Sequence, residues 1–244
     1  TYTGTAATQN ITLKLTIGTT TKTLVKGTHY TVSYSNNINA GTATVTLTGK
    51  GNYTGTIKKT FTIAKKSIAA GTVSGIVAKT YTGSATTQKI TLKVKVGTTT
   101  KTLTNGTSYT VTYSNNINAG TATMTIKGKG NYTGTIKKTY KINPASIAKI
   151  LTNSFPNVYY KGSAYKPAVK VKLGSKFLTQ NKDFTVTYSN NTNVGQAYVI
   201  ITGKGNYTGK VTKYFLIYPK TTRIGATASG NRAFQVKWYA TPQV

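Results

Sequence analysis

Residues 108–134 read SYTVTYSNNINAGTATMTIKGKGNYTG, and this stretch decides the fold. Apolar and polar residues alternate in SYTVTY and again in ATMTIK. A period of two is typical of strands that bury one face and expose the other. Turn-forming residues follow each run, first Asn115-Asn116 and then the glycine-rich GKGNYTG. The stretch therefore predicts two neighbouring antiparallel strands that end in a glycine-rich turn.

The stretch is repeated along the chain at a nearly fixed spacing. Successive copies of its glycine-rich turn are 79 and then 75 residues apart. The motif GKGNYTG occurs at 49–55, 128–134 and 203–209, and YSNN occurs at 34–37, 113–116 and 188–191. A period of this length indicates that each copy is one structural unit of a repeat protein.

The repeats predict the fold class and the domain organisation. Each copy holds about six or seven short alternating runs with turns between them, which is typical of a small antiparallel sandwich. We therefore predict an all-β protein of tandem small antiparallel Ig-like β-sandwich repeats, arranged as an elongated rod. The predicted divisions are repeat one at 1–64, repeat two at 65–142, repeat three at 143–218 and a different segment at 219–244.

The two faces of a strand can be read from KITLKVKV, residues 89–96. Its apolar side chains belong to the core, and its alternating lysines belong to the solvent face. One position breaks this pattern, because Lys59, Lys138 and Lys213 share the parity of core residues. We expect either a bulge that flips the register or a side chain that snorkels out to solvent.

Repeats two and three begin with a leader that repeat one does not show. The leaders read SIAAGTVSGIVAKTYTG at 67–83 and SIAKILTNSFPNVYYKG at 146–162. Each is predicted to form a first strand and its turn. Because only Thr1 precedes the aligned Tyr2, we predict that repeat one is incomplete in this sequence and exposes a strand edge.

These repeats resemble the tandem Ig-like repeats of large surface and secreted proteins of Gram-positive gut bacteria. The resemblance covers residues 2–217 and is carried by the three YSNN and three GKGNYTG motifs. The segment 219–244 resembles the first two strands of a fibronectin type III domain, with Trp238 as its core tryptophan. The resemblance implies a stalk, spacer or adhesive module at the cell surface or wall, and it implies no enzyme activity.

The chain lacks the side chains that most enzyme sites need. It has no Cys, one His (His29) and one acid (Asp183), and the last two lie in different repeats. Acid–base catalysis and metal binding need such groups close together, so we predict no enzyme activity, no metal site and no cofactor. A phosphate-binding loop opens a helix, whereas GKGNYTG is followed by a strand-like run. We interpret GKGNYTG as a structural turn with its tyrosine packed over it.

The charge is strongly positive, with 32 Lys and Arg against one acid and a net charge of +31. Such a chain repels itself, and a polyanion relieves that repulsion. The polyanion-binding candidates are Lys50, Lys129 and Lys204 in the turns and Lys58, Lys93, Lys95, Lys137, Lys170 and Lys172 in the strands, and the aromatic loop candidates are Tyr53, Tyr132 and Tyr207. A charged surface that serves only solubility is the alternative interpretation.

These observations predict a non-enzymatic, extracellular module of the cell surface or wall that binds anionic polymers. Teichoic acid and sulfated or sialylated glycans are the expected partners. Three alternatives stay open: a wall-retention module of a larger secreted enzyme, non-specific nucleic-acid binding, and binding of a host or bacterial surface protein. No apolar run approaches the roughly 20 residues of a membrane-spanning helix, so we expect no span in this sequence.

Overall fold

The computed structural model describes residues 1–229 and 233–240, and every regular element in them is a β-strand. The predicted all-β class with antiparallel sheets is confirmed. The chain divides into two compact units. The first comprises Thr1–Lys79, Ala85–Asn116 and Thr121–Lys141, and the second comprises Thr80–Ser84, Ile117–Gly120 and Ile142–Val244. Because these units do not coincide with the repeats, the predicted repeat boundaries and the rod-like arrangement stay predictions.

Repeat one forms two small sheets. Its strands are β1 (Leu13–Ile17), β2 (Thr20–Leu24), β3 (Tyr30–Ser35), β4 (Gly41–Gly49) and β5 (Thr56–Ile63). β1 and β2 pair as an antiparallel hairpin, and β4 lies between β3 and β5 in a three-stranded antiparallel sheet. Leu24, Tyr30, Val45 and Leu47 are buried in one hydrophobic cluster, to which both sheets contribute.

Repeat two has larger sheets, because its leader adds strands to them. Its strands are β6 (Lys66–Ser67), β7 (Thr72–Ser74), β8 (Lys79–Thr80), β9 (Thr91–Val96), β10 (Thr99–Leu103), β11 (Tyr109–Ser114), β12 (Gly120–Gly128), β13 (Tyr132–Thr133) and β14 (Thr135–Asn143). One sheet has the order β10-β9-β7, and the other has the order β11-β12-β14-β8. β6 pairs in parallel with β13.

Repeat three has the same arrangement. Its strands are β15 (Ala145–Ser146), β16 (Leu151–Thr152), β17 (Val158–Tyr159), β18 (Val171–Leu173), β19 (Lys176–Leu178), β20 (Phe184–Ser189), β21 (Gly195–Gly203), β22 (Tyr207–Thr208) and β23 (Lys210–Tyr218). The sheets have the orders β16-β18-β19 and β17-β23-β21-β20, and β15 pairs in parallel with β22.

The C-terminal segment forms an antiparallel hairpin of β24 (Thr222–Ser229) and β25 (Ala233–Ala240). The resemblance of this segment to the start of a fibronectin type III domain stays a prediction. The proposed core role of Trp238 concerns a side chain that lies outside the described part of the structure.

The alternation of apolar and polar residues assigns the strand faces correctly. In β9, Leu92, Val94 and Val96 are buried, whereas Lys93 and Lys95 between them are exposed. This is the expected result for a strand whose successive side chains point to opposite faces of a sheet. The apolar faces of the two sheets in each repeat thus supply its core.

The three lysines at core parity are all exposed. The ladder between β4 and β5 pairs Val45 with Lys59 without interruption, and the ladder between β21 and β23 pairs Val199 with Lys213 in the same way. The expectation of a register-flipping bulge is therefore wrong for Lys59 and Lys213. Their exposure agrees with the snorkelling alternative, in which the alkyl stem crosses the core face and the ammonium group reaches water.

The YSNN motif holds each repeat together by hydrogen bonds to a distant segment. Asn115 has φ 54°, a left-handed conformation that asparagine tolerates better than most residues. The next residue, Asn116, donates from Nδ2 to the Thr86 carbonyl oxygen at 2.8 Å and accepts the Thr86 N–H at 2.8 Å. The equivalent bonds join Asn37 to Ala7 and Asn191 to Tyr165.

Within the described residues, β1 pairs only with β2, whereas its counterpart β9 pairs on both sides. One edge of β1 is therefore unpaired in this part of the chain, and the predicted incompleteness of repeat one stays a prediction. The exposure extends to the core side chains beneath it. Ile57 is 43% exposed, whereas its counterpart Ile136 in repeat two is 8% exposed.

This difference predicts unequal effects of the same substitution. We expect Ile136→Ala to lower the free energy of unfolding by about 2–5 kcal/mol, because it removes a buried side chain and leaves a cavity. Ile57→Ala is the matched control and should cost less than about 1 kcal/mol, because its side chain is already near water. Urea denaturation of both variants measures the difference, and equal losses would contradict the described burial.

Candidate functional site

GKGNYTG forms a turn between two strands in each repeat, and no helix follows it. In repeat two, a Cβ atom added at Gly128 would lie 2.7 Å from the backbone nitrogen of Thr133, so only glycine fits. Gly130 has φ 63°, in the left-handed region that glycine adopts without strain. The motif is therefore a structural turn, as predicted.

The turn lysines Lys50, Lys129 and Lys204 stabilise a second turn in their own repeat. The Nζ atom of each donates a hydrogen bond to a backbone carbonyl oxygen 23 residues earlier. The acceptors are Gly27, Gly106 and Asn181, at 2.9, 2.7 and 2.9 Å. All three lysines are exposed at the same time. Each ammonium group therefore has a structural partner and keeps donors that face water.

The asparagine of GKGNYTG in repeat two connects this repeat with repeat one. Asn131 accepts the Ala40 N–H at 2.8 Å through Oδ1 and donates to Asn39 Oδ1 at 3.0 Å through Nδ2. All three residues belong to the first compact unit. We call this contact, together with the aromatic pair described below, a repeat joint.

The second joint repeats these bonds. Asn206 accepts the Ala119 N–H at 2.7 Å and donates to Asn118 Oδ1 at 3.1 Å, and all three residues belong to the second compact unit. Sequence reasoning missed this role of the asparagine. The sequence signal for this role was the presence of the asparagine in all three copies of the turn. A turn alone does not require asparagine at that position.

Two of the three candidate tyrosines lie in the joints. Tyr132 packs edge-to-face on Tyr2 with ring centroids 5.6 Å apart, and Tyr207 packs on Tyr81 at 5.5 Å. Tyr132 is only 6% exposed and Tyr207 only 5%. Burial, followed by the neighbouring Tyr2, raises the pKa of Tyr132 above its ordinary value. Because these rings are covered by protein, we leave both tyrosines out of the proposed binding surface.

The remaining candidate tyrosine is Tyr53, and Lys176 is a further lysine that lies near the aromatic pair of the second joint. Tyr53 is half-buried and packs edge-to-face on His29, with ring centroids 5.2 Å apart. The Nζ atom of Lys176 lies 5.8 Å from the ring centroids of both Tyr81 and Tyr207. A hydrogen bond with the Tyr207 hydroxyl raises the pKa of the Lys176 ammonium group. Lys176 therefore belongs to the second joint.

The two residues with acid–base side chains serve as acceptors within turns. Asp183 accepts the Thr179 N–H through Oδ2 at 2.9 Å and is 8% exposed. His29 accepts the Val25 N–H through Nδ1 at 2.8 Å. Each side chain binds the amide four residues before it, at the same position of its own repeat. The sole carboxylate side chain of the sequence is thus buried and engaged with the backbone.

The strand lysines lie on the outward faces of the sheets, and Lys170 directly precedes β18. Lys58, Lys93, Lys95, Lys137 and Lys170 are exposed, and Lys172 is half-buried with Nζ 5.4 Å from the Phe177 ring centroid. Their cross-strand neighbours in repeat two are hydroxyl residues. Lys93 pairs with Thr102 and Thr72, and Lys95 pairs with Thr100. These faces combine ammonium groups with threonine hydroxyls and carry no acidic side chain.

The residues that the structure describes contain no group of three or more His, Cys, Asp or Glu side chains that could hold a metal ion. They also contain no helix of the length and apolar character needed to cross a membrane.

Comparisons with known proteins identify no family. No family model matches the chain, and no curated protein matches it significantly. Domains 1–6 of the surface layer protein SbsC are 17% identical over 91% of this chain and 39% of that one, with a TM-score of 0.22. Domains 4–9 of SbsC are 19% identical over 88% of this chain and 43% of that one, with a TM-score of 0.20. This chain spans less than half of either structure.

The repeat joints predict a position-dependent effect of one substitution. We expect Asn206→Ala to lower the free energy of unfolding by about 1–3 kcal/mol, because the half-buried Ala119 N–H loses its acceptor. Asn52→Ala, at the same position of repeat one, is the control and should change stability by less than about 0.5 kcal/mol, because Asn52 is exposed. Chemical denaturation of both variants tests this, and equal effects would argue against the joint.

The turn role of Asp183 predicts which replacements the protein tolerates. We expect Asp183→Ala to cost about 1–3 kcal/mol, because the Thr179 N–H is left without its acceptor. Asp183→Asn keeps an acceptor oxygen of the same shape and should retain most of the stability. Thermal unfolding followed by circular dichroism distinguishes the two, and a fully stable Asp183→Ala variant would contradict the assignment.

Proposed function

We propose that this protein is a non-enzymatic, extracellular module of the cell surface or wall that binds anionic polymers through its lysines. One observation carries the proposal: Asp183, the sole acidic side chain among 32 cations, is buried and bonded to the backbone. No acidic side chain is therefore left at the surface to neutralise the exposed lysines. The resemblance to Ig-like repeats of bacterial surface proteins supports the same location.

The proposed mechanism is the sum of many weak contacts along the outward faces. Lys93 and Lys95 stand two residues apart on β9, so their side chains extend from the same face of the sheet. Threonine hydroxyls across the strands add hydrogen bonds to the oxygen atoms of phosphate or sulfate groups. Individual exposed lysines bind weakly in salt, but contacts to one linear polymer reinforce each other.

The turn lysines contribute less to this surface than their sequence position indicates. Each already donates one hydrogen bond to a carbonyl oxygen of its own repeat. Replacing them would change stability as well as charge. We therefore assign the main part of binding to the strand lysines Lys58, Lys93, Lys95 and Lys137, and to Lys170 directly before β18.

Binding should depend steeply on salt. Proteins that make several phosphate contacts lose about 10³-fold or more in affinity between about 50 and 200 mM salt. We expect heparin and a glycerol-phosphate polymer to show a dependence of this kind, measured by isothermal titration at two salt concentrations. Neutral dextran is the control and should not bind. An affinity for both polyanions that does not change with salt would overturn the electrostatic mechanism.

The strand lysines are tested separately from the total charge. Lys93→Gln with Lys95→Gln should weaken polyanion binding and reduce its salt dependence, because two contacts are removed. The matched variant Lys93→Arg with Lys95→Arg keeps both charges and should bind like the parent. If the glutamine variant binds as tightly as the arginine variant, this face is not part of the binding surface. A duplex DNA bound more tightly than either polyanion would favour nucleic acid as the partner.

A further inference from the structure

The sheet of repeat three that contains β23 carries large rings on its outward face. In β23, Phe215 and Ile217 are buried, so Tyr214, Leu216 and Tyr218 point away from the core. Tyr214 is 63% exposed and Tyr218 is 40% exposed. Aromatic side chains of this strand are therefore in contact with water.

The two neighbouring strands add rings to this face. Tyr198 of β21 lies opposite Tyr214 and is half-buried, and Tyr159 of β17 lies opposite Tyr218 and is exposed. The rings of Tyr159 and Tyr218 are in contact, with centroids 5.8 Å apart. We call Tyr159, Tyr198, Tyr214 and Tyr218 the tyrosine face.

The central pair of the tyrosine face occurs in repeat three only. At the positions of Tyr198 and Tyr214 the other repeats have threonine, namely Thr44 and Thr60 in repeat one, and Thr123 and Thr139 in repeat two. Thr44 lies opposite Thr60 in the same register as Tyr198 opposite Tyr214. Threonine is therefore sufficient to build this sheet, and the two rings serve another purpose.

The rings have fixed places along one direction. Asn157 accepts the Leu216 N–H through Oδ1 at 2.9 Å and donates to the Tyr218 hydroxyl through Nδ2 at 3.0 Å. The Tyr160 N–H donates to the Tyr218 carbonyl oxygen at 2.8 Å. Tyr214 and Tyr218 are four residues apart on one strand, a distance of about 13 Å. The face thus offers two pairs of rings to an extended chain that runs across it.

Cations without acids accompany these rings. Lys210 is exposed on β23 at the same parity as Tyr214, and Lys161 is exposed two residues after Tyr159. Asp183, the sole acid of the sequence, is buried in a turn. A second copy of this chain would bring another charge of +31 and would be repelled. The charge therefore favours an anionic partner over self-association.

We propose that the tyrosine face binds the sugar rings of an anionic polysaccharide, and that the nearby lysines contact its sulfate or carboxylate groups. The apolar face of a sugar ring packs on a tyrosine ring, and the tyrosine hydroxyl forms hydrogen bonds with sugar hydroxyls. This inference rests on the proposed function and narrows it. A glycan uses both the rings and the lysines, whereas a glycerol-phosphate polymer has no ring to stack.

The test compares heparin with a glycerol-phosphate polymer on the 244-residue chain. Tyr198→Thr with Tyr214→Thr gives repeat three the residues of the other repeats and leaves the net charge unchanged. We expect this variant to bind heparin at least about fivefold more weakly than the parent, because two stacking contacts are lost. Its affinity for the glycerol-phosphate polymer should equal that of the parent. Isothermal titration measures both affinities.

Three further variants serve as controls. Tyr198→Phe with Tyr214→Phe keeps both rings and should retain most of the heparin affinity. Thr123→Ala with Thr139→Ala changes the matched positions of repeat two and should leave heparin binding unchanged. Tyr214→Thr alone changes a position that is already 63% exposed, so it keeps the test valid if the double threonine variant is unstable. It should weaken heparin binding in the same direction.

Salt separates this inference from the proposed function. The ratio of heparin affinities between parent and threonine variant should be the same at two salt concentrations, because salt screens charges but not stacking. Equal heparin affinities of the two proteins would overturn the role of the tyrosine face. If both affinities still fell with salt, the lysine mechanism would stand. An affinity that does not change with salt would overturn the lysine mechanism, whatever the tyrosine variants show.

Two results would overturn the assignment of the partner as a glycan. One is a loss of glycerol-phosphate binding as large as the loss of heparin binding, because that polymer contains no sugar ring. The other is an oligothymidine that binds the threonine variant more weakly than the parent while heparin binds both equally. Bases also stack on aromatic rings, so that result would assign the tyrosine face to single-stranded nucleic acid.

Discussion

In repeats two and three, the core depends on the burial of one isoleucine between the two sheets of the repeat. Ile68 and Ile147 occupy this place, and two backbone hydrogen bonds to the residues of the GKGNYTG turn hold each of them there. Small sandwiches have little core to lose, so one fully buried side chain is a substantial part of their stability. Among the described residues of repeat one, Ile57 is 43% exposed and a cavity lies beside the core, whereas Ile136, its counterpart in repeat two, is 8% exposed.

The GKGNYTG turn is repeated because several contacts need it at once. Its first glycine permits the backbone to fold back closely, and its lysine bonds a second turn of the same repeat. In repeats two and three, its asparagine and tyrosine contact the preceding repeat. The backbone carbonyl oxygens of its asparagine and threonine accept hydrogen bonds from N–H groups at the start of the leader. A single substitution in this turn would therefore disturb several contacts. This explains why three copies that differ elsewhere keep the same seven residues.

Local patterns predicted the strands, but not the contacts between distant segments. The alternation in 89–96 placed Leu92, Val94 and Val96 in the core, because the period of a strand is a property of the backbone. The roles of Asn131, Asp183 and Lys129 depend on which loops come together, and sequence spacing does not contain that information. Lys59 shows a second limit of sequence-based prediction. The parity of a residue in a strand gives the face of its side chain, but it does not show whether the charged end of that side chain reaches water.

The position of Asp183, the one acidic residue, shows why the fold does not need others. Asp183 is retained where a turn needs an acceptor, and the same position in repeat one is filled by His29, which accepts its amide without a negative charge. The fold therefore does not require a carboxylate at this turn. Elsewhere, threonine occupies outward positions beside lysine, where an acid would form an ion pair of small benefit. A surface built in this way leaves its cations unpaired within the protein, and this is the condition under which an external polyanion gains most from binding.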